Sequence, residues 1–166
     1  MILVGKEKNV KIPDKYELEL FMFSLKYDRD NIARGHLEKI SADYGVGIKW
    51  WAESKIFFDF VKRKKIPKRI SLASEKINLK FIDSVLEKPL IVYIDRFYLW
   101  KKEHGLYFKY HFPHFVIVNR KIGNSYEIID PDHGTVRKIS SKKLSKSISG
   151  LRNHLWISPQ AIQLSG

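Results

Sequence analysis

His114-Phe115-Val116-Ile117-Val118-Asn119, then Gly123-Asn124, then Ser125-Tyr126-Glu127-Ile128-Ile129-Asp130-Pro131, reads as two β-strands joined by a tight hairpin. Both runs are rich in β-branched and aromatic residues, and a Gly-Asn pair between such runs is a turn signal. The next divider, Asp130-Pro131-Asp132-His133-Gly134, ends the second strand and predicts a third over 135–139. Upstream, Pro89 marks a change of period, and Leu90-Ile91-Val92-Tyr93-Ile94 is an apolar strand of the fully buried kind. Downstream, a short helix is expected over 142–147 and a last strand over 154–158.

Working toward the N-terminus, the period becomes helical. Asp30 is a candidate N-cap for a helix over about 31–44, with Ile32, Leu37, Ile40 and Tyr44 as its apolar positions and Gly45 as its stop. Ile56, Phe57, Phe60 and Val61 predict a second amphipathic helix over about 53–64, and Trp50-Trp51 are expected to pack its start. Phe81, Ile82, Val85 and Leu86 repeat the spacing and predict a third over about 78–87. Helices first and a mostly antiparallel sheet afterwards is an α+β layout.

The 166 residues suffice for one domain spanning 1–166 with a real core, and a 44% hydrophobic content argues against disorder. No apolar run reaches the roughly 18 residues that span a bilayer. Met1-Ile2-Leu3-Val4-Gly5-Lys6 lacks the form of a signal peptide, so a cytoplasmic location is expected. The absence of cysteine excludes disulfides, thiolate metal sites and thiol catalysis together. Thirty-one Lys and Arg against 18 Asp and Glu give +13, which favours an anionic partner. Solubility and heat tolerance are the plainer explanation: Lys is abundant, and Gln occurs only at 160 and 163.

Two residues carry a candidate chemistry. His114 opens one strand and Asp130 closes the next, and such a pair can act as a general base with its orienting carboxylate. A strand-end histidine satisfied by the backbone, and an Asp-Pro turn in its own right, are the structural alternatives. Asp95 interrupts an apolar run and is expected to belong to a site or a polar network, because an unpaired buried carboxylate is costly.

The segment Ile91-Val92-Tyr93-Ile94-Asp95-Arg96-Phe97-Tyr98-Leu99, the His114-Phe115-Val116-Ile117-Val118 strand and Ile128-Ile129-Asp130-Pro131 resemble the papain-like C39 peptidase group. Within it they are most similar to the relatives typified by the N-terminal domain of butirosin-biosynthesis protein H (BtrH), which show an Asp-x-aromatic-Tyr-Leu segment before the His strand. The resemblance implies a papain-like fold, with N-terminal helices packed on a mostly antiparallel C-terminal sheet. It also implies a nucleophilic Cys near the start of an N-terminal helix, activated by the strand His. Laying Leu37, Ile40 and Tyr44-Gly45 on the helix pattern puts Ile32 in the nucleophile slot, with Asn31 the next candidate, and 26–30 contains no Gln for an oxyanion hole. Loss of the nucleophile removes several orders of magnitude in rate.

The implied protein is thus a pseudoenzyme that binds a peptide or an acylated carrier segment in the inherited groove, with Asp95 and Tyr98 as binding residues. Two other classes stand beside it. One is an acyltransferase or hydrolase with a non-cysteine mechanism acting on an acidic carrier. The other is a nucleic-acid-binding module using the densest basic run, Lys62, Arg63, Lys64, Lys65, Lys68 and Arg69, which also reads as a solvated helix end. No cofactor is expected. His104, His111, His114 and His133 fall at no recognised zinc spacing, so no metal is expected either.

Overall fold

The computed structural model describes residues 45, 47–53, 70–100, 110–131 and 134–165. The first expected helix, over 31–44, lies outside them, as does the second, over 53–64, apart from Glu53. Seven described strands form one sheet. In chain order they are β1 (Gly47–Ala52), β2 (Ile70–Ser74), β3 (Leu90–Asp95), β4 (Pro113–Ile122), β5 (Ser125–Asp130), β6 (Thr135–Ser140) and β7 (Gln160–Ser165). They lie in the order β2-β1-β7-β3-β4-β5-β6. Every neighbouring pair is antiparallel except β1 with β2. With helices α1 (Leu79–Val85), α2 (Phe97–Trp100) and α3 (Ser141–Gly150), this is an α+β fold.

The hairpin between β4 and β5 turns on Gly123-Asn124, and only the glycine has positive φ, at 58°, as a type II′ turn requires. α1 starts where Asn78 Oδ1 accepts the Phe81 N–H at 3.0 Å, and α3 where Ser140 Oγ accepts from Lys143 N at 3.3 Å. Leu144, Ser147, Ile148 and Leu151 form the buried stripe that continues from α3 into the turn after it. Leu144 and Ile148 join Leu90, Val92 and Ile94 of β3, Val116 and Val118 of β4, and Tyr126 and Ile128 of β5 in one core. Each strand contributes alternate residues to it, the period of a pleated sheet.

Three expectations need correction. Trp50 and Trp51 belong to the sheet itself: they sit in β1, where Trp50 is buried and its Nε1 donates to Gln160 Oε1 at 3.1 Å. The sheet therefore begins well before Pro89, and both β1 and β2 escaped the pattern reading. Their pairing with β7 and with each other, not a local turn signal, makes them strands. The last strand is not 154–158: residues Leu151–Leu155 form a π-helical turn, and β7 starts at Gln160. Trp156 stands between them in the left-handed region, φ 57° and ψ 30°. Pro159 then withholds an N–H from any ladder before the strand begins. Among the described residues no helix is long and apolar enough to cross a membrane.

Polar ties fix the rim. Gln163 Nε2 donates to the Val85 and Lys88 carbonyls at 2.8 and 3.2 Å, and Arg152 clasps Glu53 while donating to the Ile77 carbonyl at 2.8 Å. On α1, Asp83 accepts from Tyr126 Oη and Lys121 Nζ, both at 2.6 Å. Burial works against ionisation of Asp83, but the hydrogen bonds from Lys121 and Tyr126 hold its carboxyl below the ordinary 3.8. A depressed carboxylate contributes stability that is present above the unfolded value and lost as pH falls through the folded one. Asp83→Asn should therefore lower the denaturant midpoint at pH 7, and the gap to the parent should close as pH falls below 3.8. Trp156→Gly should raise the melting temperature by about 2–4 °C: a non-glycine in the left-handed region costs roughly 1–2 kcal/mol, of which the extra chain entropy that glycine loses on folding offsets about 0.5–1 kcal/mol.

Candidate functional site

The antiparallel register brings the end of β3, the start of β4 and the end of β5 to one end of the sheet, with Asp95 opposite Pro113 and Ile117 opposite Ile129. His114 shares a face with Val116 and Val118, and Asp130 with Ile128 and Tyr126, so both point to the side that α3 covers. The two residues that the sequence paired are brought together: His114 Nε2 lies 2.9 Å from Asp130 Oδ1. The carboxylate is nearly fully buried, and its other oxygen, Oδ2, lies 3.9 Å from the Arg96 guanidinium. Asp130 is thereby fixed between an imidazole and a cation, and it in turn fixes the His114 ring.

A second imidazole–carboxylate pair lies beside the first. Asp95, last residue of β3 and 0% exposed, accepts at Oδ2 from His111 Nδ1 at 2.6 Å. Its Oδ1 accepts the Phe97 N–H at 3.1 Å, which begins α2. A carboxylate can only accept, so the His111 proton resides on Nδ1. His111 stacks on His154 with ring centroids 3.9 Å apart and planes 17° from parallel. His154 Nε2 is 2.7 Å from the Tyr98 hydroxyl, and Phe97 packs on His111 at 4.4 Å. Four rings thus converge over one buried carboxylate.

Of the expected site residues, Asp95 is a buried hub and Tyr98 a ring partner of His154. Ile32 and the run of Lys62, Arg63, Lys64, Lys65, Lys68 and Arg69 lie outside the described residues. Arg96, His111 and His154 were missed as site residues. Arg96 and His111 carried a local signal, standing next to Asp95 and three residues before His114; His154 carried none, because it arrives across a separation of 43 residues from His111. Among the described residues no group of three or more His, Cys, Asp or Glu is arranged to hold a metal. Each carboxylate-held imidazole is an oriented base or acid. With no cysteine in the chain, neither has a thiol to activate.

Comparisons with protein-family models, with curated proteins and with solved structures found no match.

Gly150, near the end of α3, allows the second pair to form. A Cβ at this position would lie 2.5 Å from Asp95 Oδ2 and 2.7 Å from Tyr98 Cε2. Gly150→Ala should move or expose the Asp95 carboxylate and destabilise the fold by about 1–3 kcal/mol. The same substitution should shift the His111 imidazole resonances, while a merely helix-stabilising alanine would raise the denaturant midpoint and leave them in place.

Proposed function

We propose that this chain is a single papain-like domain of the C39 kind, spanning 1–166, whose nucleophile is gone and whose groove binds a peptide or an acylated carrier segment. The observation that carries this reading is the His114–Asp130 pair, 2.9 Å apart at the end of two antiparallel strands in a chain without cysteine. An oriented imidazole is what a thiol-activating site retains when the thiol is lost. Arg96 beside Asp130 supports it, because a buried carboxylate that served the turn alone would not need both an imidazole and a guanidinium. The +13 charge suits an acidic carrier as partner, and the setting proposed with it is the cytoplasm.

The test is to restore a thiol. Ile32→Cys, with and without His114→Ala, is followed by alkylation rate against pH. The expected outcome is an apparent thiol pKa below the roughly 8.5 of free cysteine, rising when His114 is removed. Alkylation should also slow when a peptide or an acylated acidic carrier protein occupies the groove. A thiol of ordinary pKa that ignores His114 would overturn the papain-like reading; a low pKa without any shielding would overturn the binding role alone.

A further inference from the structure

We propose that the face built by α3 and the π-helical turn binds single-stranded nucleic acid, with the α3 lysines on the phosphates and Trp156 and the His111–His154 stack as platforms for bases. This site uses residues other than the Lys62–Arg69 run and does not depend on the groove reading.

The first observation is charge. From His133 to Gly166 the chain has no Asp or Glu, yet it has Arg137, Lys138, Lys142, Lys143, Lys146 and Arg152. Lys142, Lys143 and Lys146 are exposed on α3, while Lys138, next to the core residue Ile139 on β6, points to the other side of the sheet. Lys142 and Lys143 stand in the first turn of α3, where the helix dipole disfavours cations, and no acidic residue offsets them there. Lys142 and Lys146 are also a like-charge pair at i, i+4, which weakens a helix. These lysines work against the helix that carries them. An anionic ligand across the exposed face of α3 reverses both penalties.

The second observation is the aromatic surface at the far end of the same element. α3 runs directly into the π-helical turn, so Lys146 and Trp156 lie roughly 15 Å apart along one continuous segment. Trp156 is 90% exposed while held in the left-handed region, a conformation that costs folding energy and returns no packing. Two residues before it, His154 stacks on His111. His111 is itself flanked by Tyr110 and Phe112, 75% and 59% exposed. Exposed rings a few nucleotides' length from a row of cations are what binds single strands without base readout: every base has a face to stack, and every nucleotide a phosphate. An acidic peptide would use the lysines but not the rings.

The experiment is fluorescence anisotropy of the full chain with 5′-fluorescein-labelled single-stranded RNA and DNA of about 15 nucleotides, titrated over a range of salt. Binding of both within a few-fold is expected, because rings and phosphates are common to them. Log affinity should fall with log salt at a slope of about −2 if three lysines each meet a phosphate. Trp156→Ala should weaken binding about ten-fold, and Lys142→Ala/Lys143→Ala/Lys146→Ala should flatten the salt slope by about 2. All four side chains are exposed, and circular dichroism melting confirms that the variants fold. The proposal is overturned by absence of binding at low salt. It is equally overturned if poly-glutamate binds as tightly and Trp156→Ala has no effect, or if Lys64→Glu/Lys65→Glu abolishes binding that the α3 changes leave intact.

Discussion

A carboxylate with no access to water organises this end of the molecule. Burying Asp95 costs several kcal/mol unless its oxygens are met by donors. The donors come from both sides of the strand end: the Phe97 amide that starts α2, and the His111 imidazole just before β4. The third requirement is a residue without a side chain, Gly150, where α3 passes against the carboxylate. Three elements distant in sequence must therefore meet at one point, and the angle at which α3 leaves β6 is constrained by it. Once His111 is fixed, its ring sets the place of His154, and His154 sets the Tyr98 hydroxyl.

The neighbouring pair follows from the sheet itself. Because β3, β4 and β5 are successive antiparallel strands, their alternate ends coincide, so a histidine opening β4 and an aspartate closing β5 must fall together. Arg96, one residue after Asp95, spans from the first carboxylate's strand to the second carboxylate. The two pairs are thus joined through two adjacent residues, Asp95 and Arg96. Both imidazoles are oriented, and neither has a thiol anywhere in the chain to act on.

The stability of α3 comes from its inner face, and this leaves its outer face free to carry charge that a marginal helix could not bear. Leu144, Ile148 and Leu151 are buried in or beside the core, and burial of such side chains contributes about 1.5–3 kcal/mol each. Opposing dipole and like-charge terms are a few tenths of a kcal/mol to about 1 kcal/mol per residue. Packing wins, so three lysines and no acid on the exposed side are tolerated. The same balance lets the chain hold Trp156 in the left-handed region at the end of the segment.

The β3–β6 region was legible in the sequence because its signals are local. Alternating apolar residues, a Gly-Asn hairpin and an Asp-Pro turn specify strands and register without help from the rest of the chain. His114 and Asp130 could be paired in advance for the same reason: once the hairpin register is set, their meeting is a geometric consequence. The helix around Ile82 was readable from the spacing of Phe81, Ile82, Val85 and Leu86, and a short helix over 142–147 was expected where α3 runs from Ser141 to Gly150. Tertiary structure alone decided that the Trp50-Trp51 run is a strand, because its ladder partners are β2 and the far C-terminal β7. It also decided the Asp95–His111–His154 assembly. No local rule sends His154 to His111, or requires Gly150 to lack a side chain; both follow from where a buried carboxylate finds its donors once α3 has packed on the sheet.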